Sequence, residues 1–289
     1  VGGARPRLRT ATLADTPNVV PLLNAAYGES PTFEARFRAY VQLEPGGWVV
    51  IEGPEGPVGV GGFVRFGACA YIGLMGVAPL AQRTGLGSMV FEELLRRCDA
   101  LGVRLLLLDA TEKGAALYQK YGFEDHGKAL AYQIDAGLLP VAEGAAGVRI
   151  EPLRDADEPA VAAIDAAAYG ADRTALLGTL LREYAGRAFV ARGLSGALVG
   201  YAIGQSLSFG PCVAPSAGVA CALARTIVAL PYPAKVTWLV ADQNAAAIGA
   251  ALSLGGVVGK TWRHLRRGSG YALASDWSNV FAKATLAVG

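Results

Sequence analysis

An internal repeat limits this chain to few folds. LRTATLADTPNVV from Leu8 resembles VRIEPLRDADEPAV from Val148, which sets Leu13 and Asp15 on Leu153 and Asp155 at an offset of 140. NAAYG ending at Gly28 matches AAAYG ending at Gly170, an offset of 142. GGWVVIEGPEGPVGVGG is echoed by GRAFVARGLSGALVGYA, with Gly59 on Gly200 at 141, and GVAP ending at Pro79 is echoed by CVAP ending at Pro215 at 136. LLDATEKGAALYQKYGF and LVADQNAAAIGAALSLGG follow at about 133. The order is kept while the offset drifts, as expected of two copies of one fold whose loops have gained and lost residues. A length of 289 residues accommodates two domains. The Pro/Gly/Ala-rich stretch 138–147 reads as the link, which predicts domains at 1–140 and 146–289.

Both copies carry the same order of patterns. In the first, a strand over 7–12 leads to a helix after Asp15, an N-cap candidate followed by Pro17. A second helix covers about 33–41. WVVIEG and PVGVGGFVRF read as a hairpin around PEGP, and AYIGLMGV as a further strand. SMVFEELLRRCDALG is amphipathic and stops at Gly102. VRLLLLDAT is a continuous apolar run, the mark of a buried strand, followed by the short helix KGAALYQKYG and a last strand, AYQID. The prediction is an α/β class: two mixed-sheet domains in tandem, each a central sheet flanked by helices.

Composition removes several classes of function. Hydrophobic residues make up 53% and charged ones 17%, enough for two cores and far from a disordered chain. The net charge of +2 comes without a basic run, so no nucleic-acid partner is expected. The charge-poor stretch 193–224 is interrupted by Gly204, Gln205, Gly210, Pro211 and Pro215, so it reads as buried strands and turns, and no membrane association is expected. No signal-peptide pattern is visible, and the opening VGGARP reads as a processed edge. Cys69, Cys98, Cys212 and Cys221 lack CxxC spacing, and His126 and His264 lie far apart along the chain. Neither a metal site nor a disulfide framework is predicted, and the thiols suit a reducing cytoplasm. So few histidines also argue against a Ser–His–Asp hydrolase.

The chemistry-bearing stretch is VAPLAQRTGLGSMVFEELL, from Val77. Gly85 and Gly87 stand where a helix is about to begin, and its first turn carries no acidic side chain until Glu92. A helix N-terminus presents unpaired N–H groups and the positive end of the macrodipole. Glycines there allow a ligand to approach the backbone. The stretch reads either as a plain strand-to-helix turn or as a pyrophosphate cradle.

Two motifs in order decide between these. Val77-Ala-Pro79 followed by Gln82-Arg-Thr-Gly85-Leu-Gly87 resembles the acetyl-coenzyme A signature of the GCN5-related N-acetyltransferase (GNAT) superfamily, Gln/Arg-x-x-Gly-x-Gly/Ala after a strand ending in Val-x-Pro. TEKGAALYQKYGF resembles its second signature, with Leu117, Tyr118, Lys120, Gly122 and Phe123 matching, and Thr111 and Gly114 in place of Asn and Ala. The resemblance covers about 8–135 well and 148–268 weakly, and the doubled layout looks like tandem-GNAT proteins.

The resemblance implies acetyl-coenzyme A as donor and an amine acceptor, either a small molecule or a peptide. It leaves a homodimer open. The amides of Gln82, Arg83, Thr84, Gly85, Leu86, Gly87 and Ser88 would surround the pyrophosphate, with Arg83 adding charge or standing as a solvated surface residue. Met75, Gly76 and Val77 would offer a strand edge to the pantetheine amides. The family fold implies that this strand splays from LLLLD to leave the slot. Met75 would line the thioester site or simply fill core. Attack by an amine on the thioester passes through a tetrahedral intermediate and expels a thiolate, and Tyr118 sits where the family places a stabilising hydroxyl. Thr111 would still hydrogen-bond coenzyme A. Glu29 and Asp109 are the candidate bases; each also has a plain reading, a loop charge and a helix cap. Tyr27 and Phe33 would shape the acceptor pocket or pack the core, and His126 is taken as structural.

Two other functions stay open at this point. One is a non-catalytic acyl-coenzyme A binding or sensing protein. The other is a nucleotide-binding protein using GLGS as a phosphate loop, disfavoured because no Gly-Lys-Ser/Thr follows. The second copy is expected to be degenerate. Aligning Pro215 with Pro79 sets Gly218 at Gln82, Cys221 at Gly85 and Leu223 at Gly87, and aligning Asn244 with Thr111 sets Ala251 at Tyr118.

Overall fold

The computed structural model describes residues 7–135, 147–233, 235–268 and 270–289. The opening VGGARP and the predicted link, apart from Gly147, lie outside the described residues. By their contacts, the described residues form two compact units. The first is the chain to Leu108 with a short return at 267–271 and Val288; the second is the remainder from Asp109.

The first unit begins with β1 (Arg7–Thr10), α1 (Thr16–Tyr27) and α2 (Phe33–Leu43). Then come β2 (Trp48–Gly53), β3 (Gly56–Phe66), β4 (Cys69–Val77), α3 (Leu86–Ala100) and β5 (Leu105–Ala110), which runs on into the second unit. The sheet order is β1-β2-β3-β4-β5, antiparallel throughout except for β4 beside β5. Helices α1 and α3 both pack on β3 and β4, and the glycines of VGVGG show how. A Cβ on Gly61 would fall 2.8 Å from Val90 of α3, whereas one on Gly62 would fall 2.1 Å from the indole of Trp48. Trp48 is fully buried, 6.0 Å from the Phe37 ring and 5.9 Å from the Tyr40 ring of α2. Gly62→Ala is therefore expected to cost about 1–3 kcal/mol by overpacking, read as a lowered melting temperature; an unchanged one would show that the indole shifts freely.

The second unit holds α4 (Glu112–Gln119), β6 (Glu124–Asp135), β7 (Val148–Pro152), α5 (Glu158–Tyr169) and α6 (Thr174–Glu183). It continues with β8 (Ala188–Gly193), β9 (Leu198–Gly204), β10 (Ser208–Val213), α7 (Ala217–Val228), β11 (Lys235–Ala241) and α8 (Ala245–Ser253). It closes with β12 (Val257–Arg267, whose last residue belongs to the first unit) and the short β13 (Val280–Ala282). Its sheet order is β12-β6-β11-β10-β9-β8-β7, with β13 paired to β10. The succession β1 to β6 recurs as β7 to β12, helix for helix and strand for strand, so the repeat read from sequence is a repeat of structure. β6 is antiparallel to both β11 and β12.

The structure corrects two details of the repeat. Asp15 does not cap α1 with its side chain. Its carboxylate instead accepts from the Arg9 guanidinium at 2.6 and 2.9 Å and from the Thr12 amide at 2.7 Å, and the Arg9 hydrogen bond holds it below the usual carboxylate range against the pull of burial. Its counterpart is also Asp157, not Asp155: each ends a one-turn 3-10 helix just before the long helix. Asp157 accepts from the amide of Arg154 and from Arg192. The two copies build this knot with charges exchanged. In the first, Arg9 of β1 also binds Glu52 of β2; in the second, Arg192 of β8 also binds Glu151 of β7. Both satisfy the same buried aspartate.

Candidate functional site

Between β4 and α3 the chain turns through a 3-10 segment, Pro79–Ala81, into the exposed residues Gln82, Arg83, Thr84 and Gly85. Arg83 has φ +64° and Gly85 φ +90°. Two residues of left-handed φ thus flank Thr84, and left-handed residues are an element of the backbone concavities whose N–H groups bind anions. Holding Arg83 there costs of order 1 kcal/mol, and two bonds brace the loop: Thr84 Oγ1 donates to Ala81 O at 2.6 Å and Gln82 Nε2 to Val77 O at 3.2 Å. The first bond of α3 runs from Met89 N to Gly85 O at 3.0 Å. The amides of Leu86, Gly87 and Ser88 therefore precede the helical ladder. No acidic side chain lies in this turn, and a Cβ on Gly85 would meet nothing within 4 Å. Gly85 is thus fixed by its φ, not by crowding within the protein.

The strand leading into this loop also has the predicted form. Parallel pairing of β4 with β5 ends at Ile72↔Leu108, while β4 runs on to Val77. Leu74 has φ +50°, and the register against β3 shifts between Val60 and Gly62, so β4 carries an extra residue beside Met75. Gly76 and Val77 remain paired with Val60 and Gly59 of β3. Tyr27, 44% exposed, donates its hydroxyl to Met75 O at 2.6 Å, and its ring lies 6.0 Å from Phe33. Tyr27 and Met75 are thus joined as two sequence candidates, and Glu29 stands exposed in the loop after α1.

The remaining candidates lie in the second unit. Thr111 caps α4, its Oγ1 accepting from Gly114 N at 3.1 Å. The cap role given to Asp109 therefore belongs to Thr111. Asp109 is instead buried, with Oδ1 2.8 Å from His264 Nδ1 and Oδ2 accepting from Lys283 Nζ at 2.5 Å. Burial alone would raise its carboxyl, but Lys283 and His264 outweigh it and hold it near a pKa of about 2. A carboxylate so acidic and so engaged is a poor proton acceptor. His264 and His126, far apart in sequence, have rings 6.2 Å apart. Tyr118 is buried on α4 with its ring 6.3 Å from Phe123, and burial pushes its phenol above the ordinary value.

In the second copy the corresponding loop is shorter. Eight residues separate β4 from α3, whereas three separate β10 from α7, so the ungapped alignment from Pro215 does not hold. Ser216, not Cys221, stands at the helix start where the first copy has Gly85, and its side chain accepts from Val219 N. Asn244 does match Thr111, capping α8 by accepting from Ala247 N at 2.9 Å.

Two models described as acetyltransferase (GNAT) domains match residues 44–125 and 161–282. A Bacillus subtilis protein, the uncharacterized N-acetyltransferase YitH, is 31% identical over 173 residues, covering 58% of this chain and 59% of that relative's length. A candidate acetyltransferase of Pyrococcus horikoshii superposes with a TM-score of 0.86 at 24% identity, covering 100% of this chain and 98% of that one. A tandem GNAT protein from the clavulanic acid biosynthesis pathway superposes with a TM-score of 0.65 at 15% identity, covering 93% and 100%. The structural likenesses establish the fold. With GNAT models matched in order on both copies, the chain belongs to the GCN5-related N-acetyltransferase superfamily as a tandem member.

Proposed function

We propose that this protein is an acetyl-coenzyme A-dependent N-acetyltransferase acting through its first copy, with an amine as acceptor. The observation that carries this reading is the loop 82–88: two left-handed residues, braced ends, and a helix whose first amides precede the ladder and whose first turn holds no acidic residue. Those residues fit a pyrophosphate. The bulged end of β4 at Met75, Gly76 and Val77 fits an amide-bearing arm beside it. The donor would supply an activated acetyl group. Tyr118 is assigned to hydrogen-bond the departing sulfur, and Thr111 to cap the helix that carries it.

Gly85→Val tests the cradle. A β-branched residue is badly strained at φ +90°, so the loop must move and the amides lose their common aim. Affinity for acetyl-coenzyme A by titration calorimetry is expected to fall at least about tenfold, a loss of about 1.4 kcal/mol, in a variant whose circular dichroism is unchanged. Equal affinity in the folded variant would overturn the assignment. Release of free thiol only when an amine is added distinguishes an enzyme from a protein that merely binds the donor.

A further inference from the structure

The second unit opens the same wedge in its sheet as the first, and the chain fills it. Parallel pairing of β10 with β11 is confined to Ser208↔Thr237 and Phe209↔Trp238. Beyond that point β13 lies against both strands. On one side Cys212 pairs with Ala282 and Val213 with Val280, antiparallel, and Ala214 N donates to Asn279 O at 3.0 Å. On the other side Lys283 N donates to Leu239 O at 2.9 Å, and the Trp238 indole donates to Phe281 O at 2.6 Å.

Side chains complete the seal. Asn244 Nδ2 donates to the carbonyls of Trp277, Ser278 and Val280 at 2.9, 3.1 and 3.0 Å. Gln205 Nε2 donates to Ala284 O at 2.7 Å and Tyr169 to Ala282 O at 3.2 Å. Lys283 ends the segment in its ion pair with Asp109. Phe281 and Ala282 are each 1% exposed.

We propose that residues 279–283 are a built-in occupant of the second copy's acyl-coenzyme A slot, a peptide strand standing where the fold would otherwise receive a pantetheine arm. The inference rests on the reading of the first copy's splayed β4 edge as a donor slot. The chemistry of substitution is direct. A pantetheine arm is an extended chain whose amides pair with a strand edge, and a peptide offers the same alternation of N–H and C=O. Being part of the chain, it is present at high effective concentration and excludes a free competitor. The anion end is closed as well: the loop is cut short and Ser216 uses its side chain on the first-turn amide of Val219. The second copy is thus a platform with its ligand attached, and the protein takes one donor molecule per chain.

Hydrogen exchange on the full chain, with and without saturating acetyl-coenzyme A, tests this. Peptides covering 279–284 are expected to exchange within about tenfold of those covering β11, and to be unchanged by the ligand, while peptides covering 82–88 slow. Exchange of 279–284 at free-peptide rates, or its acceleration by acetyl-coenzyme A, would overturn the proposal, as would two equivalents bound in calorimetry. A ligand that slows no peptide while 279–284 stays protected would refute the first-copy reading and leave the segment's occupancy upheld. Asn244→Ala, which removes the three carbonyl contacts, is expected to speed exchange at 279–284 by at least about tenfold relative to β9; equal rates would count against the seal.

Discussion

A Tyr118→Phe variant is expected to turn over about 10- to 1000-fold more slowly while binding acetyl-coenzyme A almost as well. The substitution removes one hydroxyl and keeps the ring that packs 6.3 Å from Phe123, so the helix that carries it is preserved. Burial raises the phenol above its ordinary value of about 10. A thiol titrates near 8.5, so handing a whole proton to the departing thiolate is uphill for this phenol, and donating a hydrogen bond is the role that its environment favours. The same shift keeps the hydroxyl protonated throughout the neutral range. The loss in the Phe variant is therefore expected to be a constant factor between about pH 6 and pH 9. Thiol release with an amine acceptor measures it. Full turnover in the variant would move the role to another group, and a loss that varied steeply with pH in this range would mean that Tyr118 ionises during the cycle.

What the sequence makes legible here is local. The loop 82–88 is readable because its glycines, its Pro79 and the following amphipathic helix are contiguous, and the repeat is readable because the same local signals recur in order. The partners of Asp109 are not readable in this way. His264 and Lys283 lie 155 and 174 residues away, and neither carries a neighbouring pattern that marks it as a buried partner. The helix cap is ambiguous for a related reason: Asp109 and Thr111 both have N-cap chemistry, and only the fold, which buries the Asp109 side chain against Lys283 and leaves Thr111 to accept from Gly114, decides between them. AYQID is only the end of a strand that begins at Glu124. The polar run EDHGK has weak strand propensity, and its pairing with β12 overrides it. In the aspartate knots, the DAD of the second copy offers two acids at neighbouring positions. The exchanged Arg–Glu partners, visible only in the folded chain, show which one is equivalent. The strand Val280–Ala282 is not among the elements read from the sequence, and nothing in NVFAKA names the strands between which it lies.

The largest expected effect on stability is that of Lys283→Met. The Lys283 ammonium and the Asp109 carboxylate are both almost wholly buried, at 2% and 0% side-chain exposure. Removing one partner of such a pair leaves the other charge in a medium that solvates it poorly, at a cost of about 3–5 kcal/mol. The effect has a pH signature whose sign follows from linkage. The Asp109 carboxyl is held near a pKa of about 2 in the folded chain, below the ordinary value of about 3.9. Its contribution to stability is therefore present above about pH 4 and is lost as the pH falls toward 2. Without the ammonium, the folded-state value rises and the benefit shrinks at neutral pH. Acid then weakens the variant less than the parent, and the gap between the two narrows as the pH approaches 2. Denaturant midpoints at pH 7 and pH 3 measure this. Asp109→Asn in the Lys283→Met background should cost less than the sum of the two single changes, because it removes the stranded charge. A gap that stays constant with pH, or singles that add, would show that packing of the lysine stem holds the segment and that the ion pair does not.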